Sequence, residues 1–361
     1  MSTNELQSAR TEISRIDQEM AELFVQRMHA AEMVAQYKKA HGMPILDAER
    51  EEAVIRNGSA RVEEEAIREY YIDFMRDTMA VSRRYQQRLL QGVKVAYCGT
   101  EGAFAHIAAD RLFPEAEKVA YGDFKSAYDS VVTEDCDIVV LPLENSYAGE
   151  VAQVTDLMFS GPLYVNHVMP LSIVHDLLAV EGATLDTVKT VVSHPQALSQ
   201  CNTFIHSHGY QQMPYTNTAL AAKYVAEQKD PTIAAIASVE SADKFGLKPL
   251  AEGINQSQIN TTRFAVLSRA ENRNVAKQHG AHFILVFTVR NEAGSLAQAL
   301  NIIGSYGFNM RTLRSRPMGE LLWQYYFYVE AEGNIHSDDG EKMLKRLSVY
   351  CDKVKCVGSF T

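Results

Sequence analysis

Between Glu5 and His41 the chain has neither proline nor glycine, and apolar or small residues return at Leu6, Ala9, Ile13, Ile16, Met20, Leu23, Ala30 and Val34. Steps of three and four residues put these positions on one stripe of a helix. That helix runs for roughly 36 residues, about 54 Å at the α-helical rise, and so outruns the core of one small domain. Its stripe needs a cover, and a second copy of the same helix supplies one. An intertwined, all-helical dimer is therefore expected at the N-terminus.

Pro44 and Asp47 start a second helix from Ala48 to Asn57, with Gly58 as its stop. A third follows from about Val62 to Leu90, with Ile67, Tyr71, Phe74, Thr78, Val81 and Tyr85 on one face. Past Gly92 the pattern becomes short apolar runs alternating with amphipathic helices: VKVAYCG, CDIVVLPLE, VKTVVSHP, TIAAIAS and RFAVLS. This alternation predicts an α/β domain. Two lobes are expected, because the long stretch from Val151 to Val180 has room for strands that cross between them. Clefts in such sheets open at the carboxyl ends of strands. Arg269 to Gly280 is polar and reads as a linker. Beyond it HFILVFTVR, SLAQALNIIGSYG, NMRTLRSRP, LLWQYYFYVEA, GEKMLKRLSVY and VKCVGSF give the β-α-β-β-α-β order of a ferredoxin-like domain. The expected domains are residues 1–91, 92–270 and 280–361.

The net charge of −10 argues against nucleic acid or an anionic membrane as partner, since both demand a basic surface. Any anionic ligand must be met by cations placed locally. The five cysteines form no C-x-x-C pair and read as free thiols. With no apolar leader in the first thirty residues and no run able to span a bilayer, a cytoplasmic protein is expected.

Certain charges stand where apolar side chains belong. The seam position after Leu23 is Arg27, and an unpaired guanidinium there would cost several kcal/mol. Lys38, eleven residues on, shares its face within about 20°, whereas Arg10 is turned by about 100° and reaches the same place only from a partner chain. Ser82 and Gln86 lie one turn apart on the third helix. Asp47, Arg50 and Glu51 open the second, where Asp47 is equally a good N-cap. Cations and amides converging on a dry bundle core, without nucleophile, metal or cofactor, suit a small dianion whose charge shifts during reaction.

Residues 5–90 resemble the all-helical chorismate mutases, whose pattern is matched by Arg10, Arg27, Lys38, the run Asp47 to Glu51, and Ser82 to Gln86. The resemblance implies that Lys38 and Gln86 bond the ether oxygen of chorismate. It gives its carboxylates to Arg27 and the partner's Arg10 and its ring hydroxyl to Asp47 and Glu51. Arg50 and Ser82 complete the pocket.

A second resemblance rests on four motifs in order: GTEGAFAH from Gly99, PLENSYAG from Pro142, SHPQALSQC from Ser193 and NTTRF from Asn260. Together these are similar to the prephenate dehydratases, an α/β family of periplasmic-binding type. The resemblance implies that Thr262 polarises the leaving hydroxyl of prephenate while Arg263 helps hold the dianion. Glu144, Asn145 and Ser146 follow one strand, at the cleft end. Ser193, Gln196 and Gln200 follow another, and Ser193 serves equally as a helix start. Ala105 stands where this family usually has a hydroxyl.

Residues 281–361 resemble an ACT domain, a small-molecule sensor. In dehydratases it binds phenylalanine between two copies, through motifs that here read Gly294-Ser295-Leu296 and Arg314-Ser315-Arg316-Pro317. Arg314 replaces an acidic residue. The expected whole is a bifunctional chorismate mutase and prephenate dehydratase of phenylalanine biosynthesis, at least dimeric and feedback-regulated by phenylalanine. A dimeric transcriptional regulator with a two-lobed effector domain is the rival. Residues 1–91 hold 13 Lys and Arg against 16 Asp and Glu, the wrong balance for a DNA-binding head.

Overall fold

A computed structural model describes residues 3–257, 259–318 and 324–361. The chain divides into two compact units, Met1–Val93 and Lys94–Thr361.

The first unit holds α1 (Thr3–Ala40), α2 (Ala48–Ser59) and α3 (Glu65–Gln91). Asp47 caps α2, its carboxylate accepting from the Arg50 amide at 3.0 Å. Gly58 does not stop α2, contrary to the expectation. It lies inside the helix, where a Cβ would come within 2.5 Å of the Tyr71 hydroxyl, so the glycine lets α3 approach. On α1 only Ala31 and Ala35 are buried among the described residues, and Ile13 and Leu23 are 58% and 63% exposed. Within one chain the seam has no cover.

The second unit begins with β1 (Lys94–Cys98), α4 (Phe104–Leu112), β2 (Glu117–Tyr121), α5 (Phe124–Val132), β3 (Ile138–Asn145), β4 (Gly149–Glu150), α6 (Ala152–Ser160) and β5 (Tyr164–Ser172). The chain then crosses into a second lobe made of β6 (Asp176–Ala179), β7 (Thr190–Ser193), α7 (Pro195–Gln200), α8 (Asn202–Ser207), β8 (Gln211–Pro214), α9 (Thr218–Gln228), β9 (Ile233–Ala237), α10 (Val239–Phe245) and β10 (Lys248–Ala251). It returns through β11 (Thr261–Ser268). The second lobe has its own sheet, ordered β10-β6-β9-β7-β8, so the first crossing lies at residues 173–175 and the second leaves β10 at residues 252–257 and enters β11 through Ile259 and Asn260. The stretch 151–180 does carry crossing strands, as expected.

The chain ends with β12 (His282–Val289), α11 (Ser295–Ser305), β13 (Met310–Pro317), β14 (Tyr325–Glu332), α12 (Asp338–Tyr350) and β15 (Cys351–Phe360). The strand expected to begin at Leu321 starts outside the described residues, and its described part opens at Tyr325. These strands are not set apart from the first lobe. A continuous sheet runs β13-β14-β12-β15-β5-β11-β3-β1-β2. It is joined where Gly358 of β15 pairs with Val165 of β5. Only glycine fits there: a Cβ would lie 2.1 Å from the Val165 carbonyl oxygen, and φ is +142°. Ile284, Val286 and Tyr328 share one core with Leu141, Leu143, Ala265 and Leu267, while Phe283, Leu285 and Phe287 bury their opposite face under α11 and α12. Even the polar stretch 269–280 is packed, with Val275 and Ala276 buried and Arg269 donating to the carbonyls of Val131 and Cys136 at 2.6 and 3.0 Å.

Candidate active sites

In the helical unit, Arg27 and Lys38 of α1, Asp47, Arg50 and Glu51 at the head of α2, and Ser82 and Gln86 of α3 line one cavity of about 240 Å³. Its polar atoms are under-used. Arg27 Nη1 and Gln86 Oε1 are buried with no partner, and Gln86 Nε2 donates to Ser82 Oγ only at 3.5 Å. Lys38 Nζ is held at the wall by donating to the Ile45 carbonyl at 2.5 Å. Leaving buried polar groups unpaired costs about 1–3 kcal/mol each; a bound anion would offset that cost at Arg27 Nη1, whereas Gln86 Oε1, an acceptor, needs a donor such as a ligand hydroxyl. Arg10 is exposed and lies outside the cavity, 17 positions back along the same helix, so this chain does not bring it to its own pocket. Arg83 was not expected: it lines the cavity and forms an ion pair with Glu51. One turn before Gln87 and outside the seam, it reads in the sequence as one more exposed arginine.

Between the lobes of the second unit a chain of hydrogen bonds assigns every proton. Asn145 Oδ1 accepts from the amides of Tyr147 and Ala148, both at 2.9 Å, which fixes Nδ2 as its donor end. That NH₂ donates to Asn260 Oδ1 at 2.8 Å and to Thr262 Oγ1 at 2.9 Å. Asn260 Nδ2 then donates to Gln200 Oε1 at 3.1 Å, where His175 Nε2, 3.0 Å away, must also donate. Two consequences follow. Thr262 accepts from Asn145, so its own proton stays free to be given and is the better polarised for it. His175 is neutral with a bare Nδ1, a buried atom without a partner.

His175 escaped the sequence reading because it lies outside the four motifs, in a stretch from Leu163 to Asp176 that mixes apolar residues with Asn166, His167 and Ser172. Burial pushes its pKa down to about 4, only partly opposed by the bond to Gln200. The unfolded chain, with an ordinary histidine value near 6.5, thus binds the proton more readily than the folded one. Stability should be complete above about pH 6.5 and fall as pH drops toward 4, by about 3 kcal/mol from this group. Urea midpoints at pH 7 and pH 4.5 check this. The loss should shrink by that amount in His175→Gln, and an unchanged loss would contradict it.

The remaining expected contacts divide differently. Thr262 pairs with Asn145 and Arg263 with Glu144 in the β3–β11 ladder. Neighbouring strand residues face opposite ways, so Glu144 and Arg263 lie behind the cluster. There Arg263 donates to Glu144 at 2.5 Å and to Glu330 at 3.1–3.2 Å. The expectation that Glu144 and Arg263 share the Thr262 cleft is corrected accordingly. Ser146 is also committed elsewhere, donating to the Ile259 carbonyl at 2.8 Å and accepting from the Thr261 amide at 3.0 Å. Ser193 neither caps α7 nor faces the cluster. His194 is the cap, and the fully buried Ser193 hydroxyl donates to the Ile236 carbonyl at 2.5 Å. Gln196 is exposed. Of the expected dehydratase residues, Asn145, Gln200 and Thr262 come together. The cavity beside them, lined by Tyr147, Gln200, Asn255 and Asn260, is only about 10 Å³. A larger one, about 510 Å³, is lined by Phe104, Leu171, Ser172, Asp176 and Ser238, none of them expected.

At the end of the chain a cavity of about 540 Å³ is lined by Asn291, Glu292, Leu296, Met318, Tyr325 and Phe327. Gly294 precedes α11 with φ +87°, and Ser295 opens that helix. Ser315 and Pro317 are exposed on β13. Arg314 and Arg316, expected beside them at an effector, face the first lobe instead. Arg314 pairs with Glu144 and, at 3.5 Å, with Glu150; Arg316 pairs with Glu150 and Asp156 at 3.0 and 2.8 Å.

The chorismate mutase type II family model matches residues 9–87, and the prephenate dehydratase model residues 95–272. The bifunctional chorismate mutase/prephenate dehydratase of Enterobacter agglomerans is 30% identical, over 99% of this chain and 96% of its own length. Among solved structures, a prephenate dehydratase from Arthrobacter aurescens in complex with L-Phe superposes with a TM-score of 0.68 at 24% identity, covering 74% of this chain and 90% of that one. A chain described as a novel type of quorum quenching acylase, GqqA, gives 0.67 at 26% identity, covering 74% and 97%.

Proposed function

Because this chain belongs to the family of bifunctional chorismate mutase/prephenate dehydratases, we propose that its two sites perform consecutive reactions of phenylalanine biosynthesis. Residues 1–91 are the mutase, 92–270 the dehydratase and 280–361 an ACT-type sensor.

In the helical cavity chorismate rearranges by a pericyclic step that needs neither acid nor base. Its ether C–O bond breaks as the new C–C bond forms, and negative charge grows on the oxygen. Lys38 and the Gln86 amide bond that oxygen as the charge develops, which favours the transition state over the ground state. Arg27 holds a carboxylate, and the partner's Arg10 holds the other, in an intertwined dimer that covers the α1 seam. Asp47 and Glu51 take the ring hydroxyl. The single observation that carries this reading is Arg27 Nη1, a buried donor with no partner, in a cavity lined with cations; Gln86 meets the oxygen with its NH₂.

In the dehydratase the electrons of the ring-to-carboxylate bond form the last ring double bond and expel the hydroxyl. Carbon dioxide, water and phenylpyruvate result, with one proton consumed. Thr262 donates its free hydroxyl hydrogen to the departing oxygen, held in line by Asn145. The carboxylate that leaves is met by amides rather than cations, and its loss as neutral carbon dioxide is not opposed. Prephenate enters when the lobes part at the crossings, residues 173–175 and 252–257. Phenylalanine binds at the cavity beside Gly294, Ser295 and Leu296 and lowers dehydratase activity.

Purified protein supplied with chorismate should release both prephenate and phenylpyruvate, followed separately, and added phenylalanine should suppress only the second. Chorismate left unconverted overturns the mutase half, and prephenate that accumulates without phenylpyruvate overturns the dehydratase half.

A further inference from the structure

The two strand ends that hold Asn145 and Thr262 are clamped from behind by the last strands of the chain. Glu144 is gripped by Arg263 and Arg314 together. Arg263 is shared with Glu330, which is 3% exposed and also accepts from the Tyr328 hydroxyl at 2.6 Å. Burial raises the Glu144 pKa, but the two guanidinium groups outweigh it and keep the carboxyl below its ordinary value.

On its other edge β11 stays in register with β5 from Thr261 to Val266, so that the ladder holds the Thr262 strand, but it ties β3 to β11 less firmly at these ends. The β3–β11 register shifts between Arg263 and Phe264, immediately behind the pairs Arg263↔Glu144 and Thr262↔Asn145. Beyond a bulge, backbone bonds no longer transmit the register of the strand body. Across the β3–β11 seam, the polar cluster on one face and the ionic clamp on the other therefore add to the backbone pairing in setting how Asn145 stands against Thr262. The clamp is also not built for stability alone, because Arg314 Nη1 is buried with no acceptor.

We propose that Arg314 is a positioning residue of the dehydratase: by holding Glu144 it sets where Asn145, and through it the Thr262 hydroxyl, stands against substrate. This rests on the reading of Thr262 as the donor to the leaving group. It also gives Arg314 a role that an acidic residue could not fill, since a carboxylate would repel Glu144 and Glu150.

The test uses the full-length chain and compares Arg314→Gln, Arg314→Lys and Thr262→Val for prephenate dehydration, chorismate rearrangement and thermal midpoint. Small displacements of a reacting group are costly, so Arg314→Gln should lower kcat for dehydration on the order of tenfold, with KM for prephenate and the mutase rate unchanged. Arg314→Lys keeps the charge and should recover part of kcat. The proposal is overturned if Thr262→Val abolishes dehydration while Arg314→Gln stays within about twofold of the parent kcat. It is equally overturned if Arg314→Gln unfolds and Arg314→Lys, folded, has the parent kcat, for the tie would then be structural only. If Thr262→Val itself leaves dehydration intact, the failure lies in the reading of the site.

Discussion

Arg27→Ala is expected to lower kcat/KM for chorismate by roughly 30- to 5,000-fold, the 2–5 kcal/mol typical of truncating one partner of a buried charge pair. Dehydration of prephenate supplied directly should not change. The magnitude follows from how Arg27 is held: one guanidinium nitrogen is enclosed with no acceptor in this chain, so its electrostatic strength is reserved for a ligand. The same fact fixes the sign of a second effect. Arg27 is only partly buried, but its enclosed, unpaired nitrogen destabilises the unliganded protein, so Arg27→Ala should melt no lower than the parent without chorismate. An arginine serving the fold would do the reverse, losing stability and leaving kcat/KM within a few-fold. Steady-state kinetics and calorimetry on one preparation separate the two.

Thr262→Val should lower kcat for dehydration by about 10²–10³, the range for removing one preorganised donor, with the mutase rate untouched. Valine keeps the β-branched shape that suits this strand position, so the strand should persist. The cost to folding is the acceptor lost to Asn145 Nδ2, about 1–3 kcal/mol. Thr262→Ser retains the hydroxyl and should retain most of kcat. Full activity in Thr262→Val would show that the leaving hydroxyl takes its proton from another group.

The three N-terminal helices were legible because their signals are local: no glycine or proline in α1, proline and aspartate before α2, and apolar periodicity along α3. The cavity was legible for a related reason. Helical geometry carries Arg27 and Lys38 to one face whatever the rest of the chain does, and the register marked Arg27 as misplaced for a core. Arg83 carried no such mark, since only the fold brings Glu51 to it.

The dehydratase cluster was half legible. Strand alternation already separates Asn145 and Thr262 from Glu144 and Arg263, but nearness within a motif suggested a common face. His175 and Asn260 meet Gln200 across long sequence separations, which no local pattern reports. Ser146 and Ser193 looked like ligand contacts because a hydroxyl at a strand end is ambiguous until its partner is known.

What the sequence determined by itself is therefore what short-range geometry enforces: the helical unit, the α/β alternation, the β-α-β-β-α-β ending, and the residue types able to meet a dianion. Tertiary structure decided which of those residues face one another. It turned Glu144 and Arg263 away from the cleft, joined β15 to β5 through Gly358, and set Arg314 against Glu144 rather than an effector. The reason is physical. Helix and strand periods fix the direction of a side chain relative to its own backbone, whereas its partner is chosen by packing among segments more than a hundred residues apart, where charge and close contact outweigh any local preference.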